Sequence, residues 1–218
     1  MSAASFTNRL TSFQREVLSA FFERERGYVL TGGAALAGFH LGHRPTDDLD
    51  LFTHDADAFE RGRFVVADVA RALGSTVEVR QDAPGFKRLV LSRADEGLVI
   101  DLVKDPAPVT SEPIVVGQIA IDSPSEILAN KLTAIVGRAE ERDLVDLMFL
   151  ERAGVSLDAA LPVALAKDGG CTPATLAWLL SEVSIPDGAP LPADVGPAEL
   201  RSYVAGLIDR LMVKAAPL

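Results

Sequence analysis

Residues 31–52 read TGGAALAGFHLGHRPTDDLDLF. The stretch opens on the end of a short apolar strand, Tyr28 to Thr31, which Gly32-Gly33 breaks. Ala34 to Leu41 is helix-prone, and a second strand follows around Leu49 to Thr53, bringing Asp48 and Asp50 with it. Side chains at i and i+2 of a strand point to the same face, so Asp48 and Asp50 put two carboxylates side by side. Such a pair repels itself unless a cation lies between them. Mg²⁺ (or Mn²⁺) suits that position, because it takes hard oxygen ligands from one or two carboxylates and from substrate phosphates. Gly32-Gly33 has no side chain to block a phosphate, and its N–H groups lie at the start of a helix, where the dipole favours an anion.

A third acid adds to this pattern. Asp101 sits inside the otherwise apolar run Leu98-Val-Ile-Asp-Leu-Val103. A carboxylate in a buried strand is costly unless it is paired or bound to a metal. Three acids on neighbouring strands beside a glycine turn suit two-metal phosphoryl transfer. The alternatives are plain ones. Asp47, Asp48 and Asp50 can cap a turn and decorate an edge strand, and Asp101 can pair with a buried arginine.

Outward from this segment the period of the apolar residues sets the elements. Residues 7–26 read as a helix, with Leu10, Phe13, Val17, Leu18 and Phe21 on one face. Phe59 to Leu73 is a second amphipathic helix, ended by Gly74. Thr76–Gln81, Phe86–Ser92, Leu98–Val103 and Val115–Ile121 read as strands. Beyond them the signal is helical. Ser123-Pro-Ser-Glu126 is a capping box with proline at N1, so a helix starts at Pro124. Further helices are expected over about 140–152, from Thr172-Pro173, and from Pro197 to about Lys214. Pro186, Pro190, Pro192 and Pro197 mark a loop. The expected fold is α+β: a mixed β-sheet flanked by helices over residues 1–122, followed by a helical C-terminal region over 123–218.

Composition narrows the function classes. The 218 residues are 48% hydrophobic and 24% charged, which is globular. Thirty-one acids against 21 bases give a net charge of −10, so phosphate-rich partners are repelled by the surface as a whole. A local basic patch stays open, since Arg61 to Arg93 carries seven bases and three acids. Cys171 is the one cysteine, so no intrachain disulfide forms and a reducing compartment is expected. The first 16 residues lack an apolar leader core, and no run approaches 18 apolar residues, so a cytoplasmic protein with no membrane partner is expected. His40, His43 and His54 show no zinc-ligand spacing and read as surface or core histidines.

The phrases GGAAL (32–36), RPTDDLDLF (44–52), IDLV (100–103) and SPSEILANKLTAIVGRAEERDLVDL (123–147) resemble the AbiEii/AbiGii-type nucleotidyltransferase toxins, within the DNA polymerase β-like superfamily. The resemblance spans about residues 28–150. It implies a nucleotidyltransferase-like sheet and metal-dependent transfer of a nucleoside monophosphate from an NTP to a hydroxyl. Asp48, Asp50 and Asp101 would be the catalytic and metal-binding acids. Gly32, Gly33, Arg44, Thr46, Lys131 and Asp143 would surround the nucleotide. The acceptor would be the 3′ end of a tRNA, seated on the basic 61–93 region, and an antitoxin protein would be the partner. The family generally carries Ser or Thr after the glycines; here the residue is Ala34, which removes a hydroxyl contact and leaves the backbone N–H groups. Lys131 lies at the edge of the apolar arc Leu128, Leu132, Ile135 and Val136, so its stem can pack while its ammonium reaches a cleft; the resemblance implies that it contacts the nucleotide phosphates there. Asp143 would orient Lys131 or an arginine. Arg142 and Asp146, four residues apart, read as a surface ion pair. Two other classes remain: a small-molecule transferase whose acidic site takes a cationic antibiotic, and a binding module in which Ala34 marks a decayed site.

Overall fold

The computed structural model describes residues 8–107 and 110–216. The chain forms two units, one of residues up to Pro106 with Ser111–Ser123, the other of Pro124 onward with Ala107–Thr110. The first holds α1 (Ser12–Arg24), β1 (Val29–Thr31), α2 (Gly32–Ala35, continued by a π-helical turn Leu36–His40), β2 (Asp48–Thr53), α3 (Ala56–Ala72), β3 (Thr76–Ala83), β4 (Phe86–Arg93), β5 (Glu96–Lys104), β6 (Ile114–Val116) and β7 (Ile119–Ile121). The second holds α4 (Pro124–Gly137), α5 (Glu141–Arg152), α6 (Leu157–Lys167), α7 (Pro173–Ser181), a 3₁₀ turn (Pro192–Asp194) and α8 (Pro197–Ala215).

Among the described residues the strands form one mixed sheet in the order β3-β4-β5-β2-β1-β7-β6. β2 pairs parallel with β5 and antiparallel with β1. β4 and β5 form an antiparallel hairpin. Alternation divides the sheet into two faces. Leu49 and Leu51 of β2, Leu89 and Leu91 of β4, and Leu98, Ile100 and Leu102 of β5 are buried on one of them. Helices α1 and α3 belong to that core. Phe21 of α1 meets the Tyr28 ring edge-on at 5.3 Å, and Tyr28 donates to the Ala58 carbonyl of α3 at 3.2 Å. Lys87 of β4 lies 4.6 Å from the centre of the Phe59 ring of α3. The other face carries Asp48, Asp50 and Phe52 of β2, which are only half-buried.

Three sequence expectations change. Helix α1 begins at Ser12, because Thr11 caps it in a full capping box with Gln14; residue 7, where the expected helix starts, lies outside the described residues. The single strand expected over Val115–Ile121 is two short strands, because Gly117 at φ +64° turns the chain between Val116 and Ile119. Helix α6 is not anticipated, since Pro162 stands inside it. Ser156 starts it by accepting from Ala159 N at 3.2 Å.

In the second unit α4 packs with α5, α6 and α7, and α7 packs with α8. Thr172 caps α7 by accepting from Thr175 N at 3.1 Å, with Pro173 at the first helical position. Cys171 is buried there, and burial pushes its thiol up to about 11, so it is an inert core residue.

Candidate active site

Strand register assembles the site. Thr31 stands opposite Asp50, Asp50 opposite Asp101, and Asp101 opposite Arg88. Four strands therefore contribute one row of side chains to the half-buried face, in the order Thr31, Asp50, Asp101, Arg88. Asp48 lies two residues from Asp50 on the same face. The three acids expected to work together do share this face.

The glycine turn abuts the row. Gly32 adopts φ +62°, and a Cβ on it would lie 2.2 Å from Asp50 Oδ2. A Cβ on Gly33 would lie 2.9 Å from Thr46 Oγ1 and 3.1 Å from Arg44 Nη2. Thr46 donates its hydroxyl to Asp48 Oδ1 at 2.6 Å. Its own carbonyl accepts from Gln14 Nε2 at 2.7 Å, which ties the loop to the start of α1. Arg44 is buried and donates to the Pro45 carbonyl at 3.0 Å. Gly32, Gly33, Arg44, Thr46, Asp48 and Asp50 thus occupy one small region. Ala34 is fully buried, so a hydroxyl at this position would have to be satisfied inside the core.

Asp101 departs from the expected three-acid cluster. Arg88 Nε donates to Asp101 Oδ1 at 2.8 Å and Arg88 Nη2 donates to Oδ2 at 2.6 Å, a bidentate pair. The hydrogen bond to Asp101, and beyond it the charges of Asp101, Asp48 and Asp50, hold the Arg88 guanidinium above its ordinary pKa against the effect of burial. Arg88 therefore feels all three acids. Among the described residues no three His, Cys, Asp or Glu side chains gather closely enough to hold a metal ion. The oxygen donors of Asp48 and Asp50 are of the kind a hard divalent cation takes, and those of Asp101, of the same kind, are held by Arg88.

Lys131 and Asp143 lie in the second unit and belong to a buried charge cluster. Lys131 Nζ lies 2.7 Å from Asp143 Oδ1 and 2.7 Å from Asp146 Oδ2. The side chains of Lys131, Asp143 and Asp146 are 10%, 1% and 0% exposed, which corrects two expectations. Lys131 is not a rim lysine with only its stem packed, and Asp146 is not part of a surface pair. Burial disfavours the Lys131 ammonium, but the two carboxylates outweigh it, so its pKa lies above that of an ordinary lysine. Arg138 Nε approaches Asp143 Oδ2 at 3.5 Å, so Asp143 faces both a lysine and an arginine.

The sequence over residues 16–210 matches the family described as the nucleotidyl transferase AbiEii toxin of type IV toxin–antitoxin systems. The chain belongs to that family. It is accordingly an AbiEii-type nucleotidyltransferase, and membership implies an antitoxin as partner. The fold agrees. The crystal structure of JHP933 from Helicobacter pylori superposes with a TM-score of 0.58 at 23% identity, covering 92% of this chain and 89% of that one. A second Helicobacter pylori chain, provisionally named a nucleotidyltransferase, gives 0.54 at 21% identity, covering 94% and 95%. No curated protein matches the chain in sequence.

The AbiEii assignment leaves the other sequence candidates to be placed. All seven bases of the 61–93 stretch have acidic partners: Arg61 with Glu25, Arg63 and Lys87 with Asp82, Arg71 with Asp68, Arg80 with Glu78, Arg88 with Asp101, and Arg93 with Glu16 and Glu96. The local excess of base in the sequence is largely neutralised in the fold. His40 Nε2 lies 2.8 Å from the Asp122 carbonyl, burial lowers its pKa, and His54 is exposed. Among the described residues no helix is long and apolar enough to cross a membrane. Sequence reasoning missed Arg88 and Gln14. Arg88 was visible only as one basic residue among seven, and nothing in the spacing of Gln14 marks it as the residue that holds the Thr46 carbonyl.

Proposed function

We propose that this AbiEii-type enzyme moves a nucleoside monophosphate from an NTP to the 3′-terminal hydroxyl of a tRNA, with a divalent metal at Asp48, Asp50 and Asp101. The observation that carries the reading is the row Thr31, Asp50, Asp101, Arg88 set against the glycine turn, where any Gly32 side chain would run into Asp50. In this reading Gly32 and Gly33 let the backbone turn close against Asp50 and Thr46, and their N–H groups are offered to a phosphate. Thr46 fixes the carboxylate of Asp48, and Arg44 supplies positive charge beside Gly33. A bound Mg²⁺ or Mn²⁺ would neutralise phosphate charge as a Lewis acid. The acceptor oxygen attacks the α-phosphorus as the α–β bridging bond breaks. Pyrophosphate leaves with the bonding electrons, and the hydroxyl proton passes to Asp101. Lys131 and Asp143 act as a fixed charge pair that braces α4 against α5.

One observation favours a second acceptor. The pairing of every base in the 61–93 stretch removes the obvious seat for an RNA backbone, while the chain is acidic overall. A small cationic acceptor such as an aminoglycoside fits that balance. The test is incubation with each labelled NTP, Mg²⁺ and either total tRNA or a panel of aminoglycosides. Label on tRNA supports the first reading, label on the small molecule the second. No label on either overturns both.

A further inference from the structure

We propose that Arg88 is an exchangeable counter-ion of the site: without nucleotide it occupies both oxygens of Asp101, and when the metal–nucleotide complex binds it transfers to the triphosphate. The inference rests on the reading that Asp48, Asp50 and Asp101 hold the metal.

Geometry and charge lead to this together. Asp101 stands beside Asp50 in the parallel pair β2–β5 and beside Arg88 in the hairpin β4–β5. It therefore sits between an acid and a base, and can serve only one partner with its full charge. A bidentate arginine engages both carboxylate oxygens, so a divalent ion and Arg88 compete for the same ligand. The two partners differ in mobility. The Asp101 side chain is 7% exposed, and the Arg88 side chain is 44% exposed. Arg88 has water around it and a long stem on which to swing, whereas Asp101 is fixed in the strand. Asp48 and Asp50 also lie within electrostatic reach of Arg88, so its charge covers the whole acidic site.

Neighbouring cations cannot take this part. Lys87 points to the opposite face, where it pairs with Asp82 at 2.6 Å over the Phe59 ring. Arg44 is buried beside Gly33 and bonds the Pro45 carbonyl. Arg88 alone of these three is both on the acidic face and substantially exposed. A guanidinium released from Asp101 keeps its charge and its planar fork, which matches phosphate as well as carboxylate. The exchange swaps one charge-assisted pair for another and leaves no charge bare.

This makes two predictions of opposite sign for one substitution. Arg88→Gln removes the competitor, so Mn²⁺ alone should bind more tightly, by about tenfold, the scale on which one adjacent unit charge alters a carboxylate. The same variant should bind the Mn²⁺ complex of a non-hydrolysable NTP analogue more weakly, because the phosphate loses its arginine. Arg88→Lys keeps the charge and should bind Mn²⁺ within a few-fold of wild type. Free Mn²⁺ is read by electron paramagnetic resonance, with Asp50→Asn as the control and a melting curve on each variant. Equal or weaker Mn²⁺ binding by Arg88→Gln, with wild-type binding intact and lost in Asp50→Asn, overturns the exchange and leaves the metal site standing. Mn²⁺ binding that survives Asp50→Asn, or is absent from both wild type and Arg88→Gln, overturns the metal reading and the exchange with it. If Arg88→Gln does not fold, the wild-type protein decides. Its Arg88 side-chain N–H resonance, assigned by its loss in Arg88→Lys, must shift when Mg²⁺ and the analogue are added; an unmoved resonance with analogue bound overturns the exchange.

Discussion

Gly32 and Asp50 are in such close approach that a methyl group on the glycine would lie 2.2 Å from the carboxylate oxygen. Gly32→Ala must therefore displace Asp50 or the turn, and it must hold an alanine at φ +62°. The expected cost is about 1–3 kcal/mol of stability for the strained backbone, together with loss of nucleotide transfer. A melting curve and a labelled-NTP assay on the same sample check this. Wild-type values in both would mean that the turn is not built around Asp50.

Asp48→Asn and Asp50→Asn should leave the fold intact and lower transfer by a factor on the order of 10²–10³ or more, as removing one element of a charged site does. Neither should melt earlier than wild type, because each relieves repulsion among like charges on one face. Steady-state transfer and thermal unfolding are the measurements. Undiminished turnover in either variant would remove that acid from the chemistry.

Lys131→Ala should destabilise the second unit by about 3–5 kcal/mol, since it leaves Asp143 and Asp146 buried without their shared cation. The sign with pH follows from the raised pKa. The ammonium contributes fully below the ordinary lysine value of 10.5, and that contribution declines as pH climbs through the higher folded value. Denaturant unfolding of Lys131→Ala and wild type between pH 7 and pH 11 reads both effects. A variant as stable as wild type at pH 7 would show that the cluster is not a structural brace.

Both tyrosines of the chain should resist ionisation until the protein unfolds. Burial raises Tyr28 above its ordinary value of 10.0, helped by Glu25. Burial also raises Tyr203, whose hydroxyl donates to Glu151 Oε2 at 2.7 Å. A raised folded pKa contributes stability below pH 10 that disappears as pH rises, because only the unfolded chain ionises there. Phenolate absorbance in an alkaline titration should appear together with loss of circular dichroism. Absorbance that rises first would place at least one tyrosine in contact with water.

Much of the sheet could be read from alternation, because β2, β4 and β5 each bury one face and wet the other. The segment Thr31 to Phe52 revealed its acids and glycines for the same reason. Arg88 was harder to see, although the register was present in the sequence. Arg93 pairs with Glu96 across the two-residue turn Ala94-Asp95, and counting back five residues on each strand sets Arg88 opposite Asp101. The expected strand bounds, Ser92 and Leu98, leave the turn too long and hide that count. The burial of Lys131 and Asp146 is not legible in the sequence, because helical periodicity places a residue at an edge without saying what packs over it. Asp143 and Asp146 come from α5, and only tertiary packing carries them to Lys131. Helix α6 was concealed by Pro162, which local propensity reads as a stop.

The hairpin also suggests an order of events to be tested as the chain folds. β4 and β5 are joined by a tight turn, so Arg88 can meet Asp101 through a short loop. Asp50 reaches Asp101 only when β2 docks in parallel, which needs a crossover through α3, β3 and β4. Arg88 is thus expected to cover Asp101 before the other two acids arrive, so that three bare carboxylates need not be gathered in one step. Arg88→Gln should then slow refolding more than it hastens unfolding, a balance that stopped-flow kinetics in denaturant would reveal.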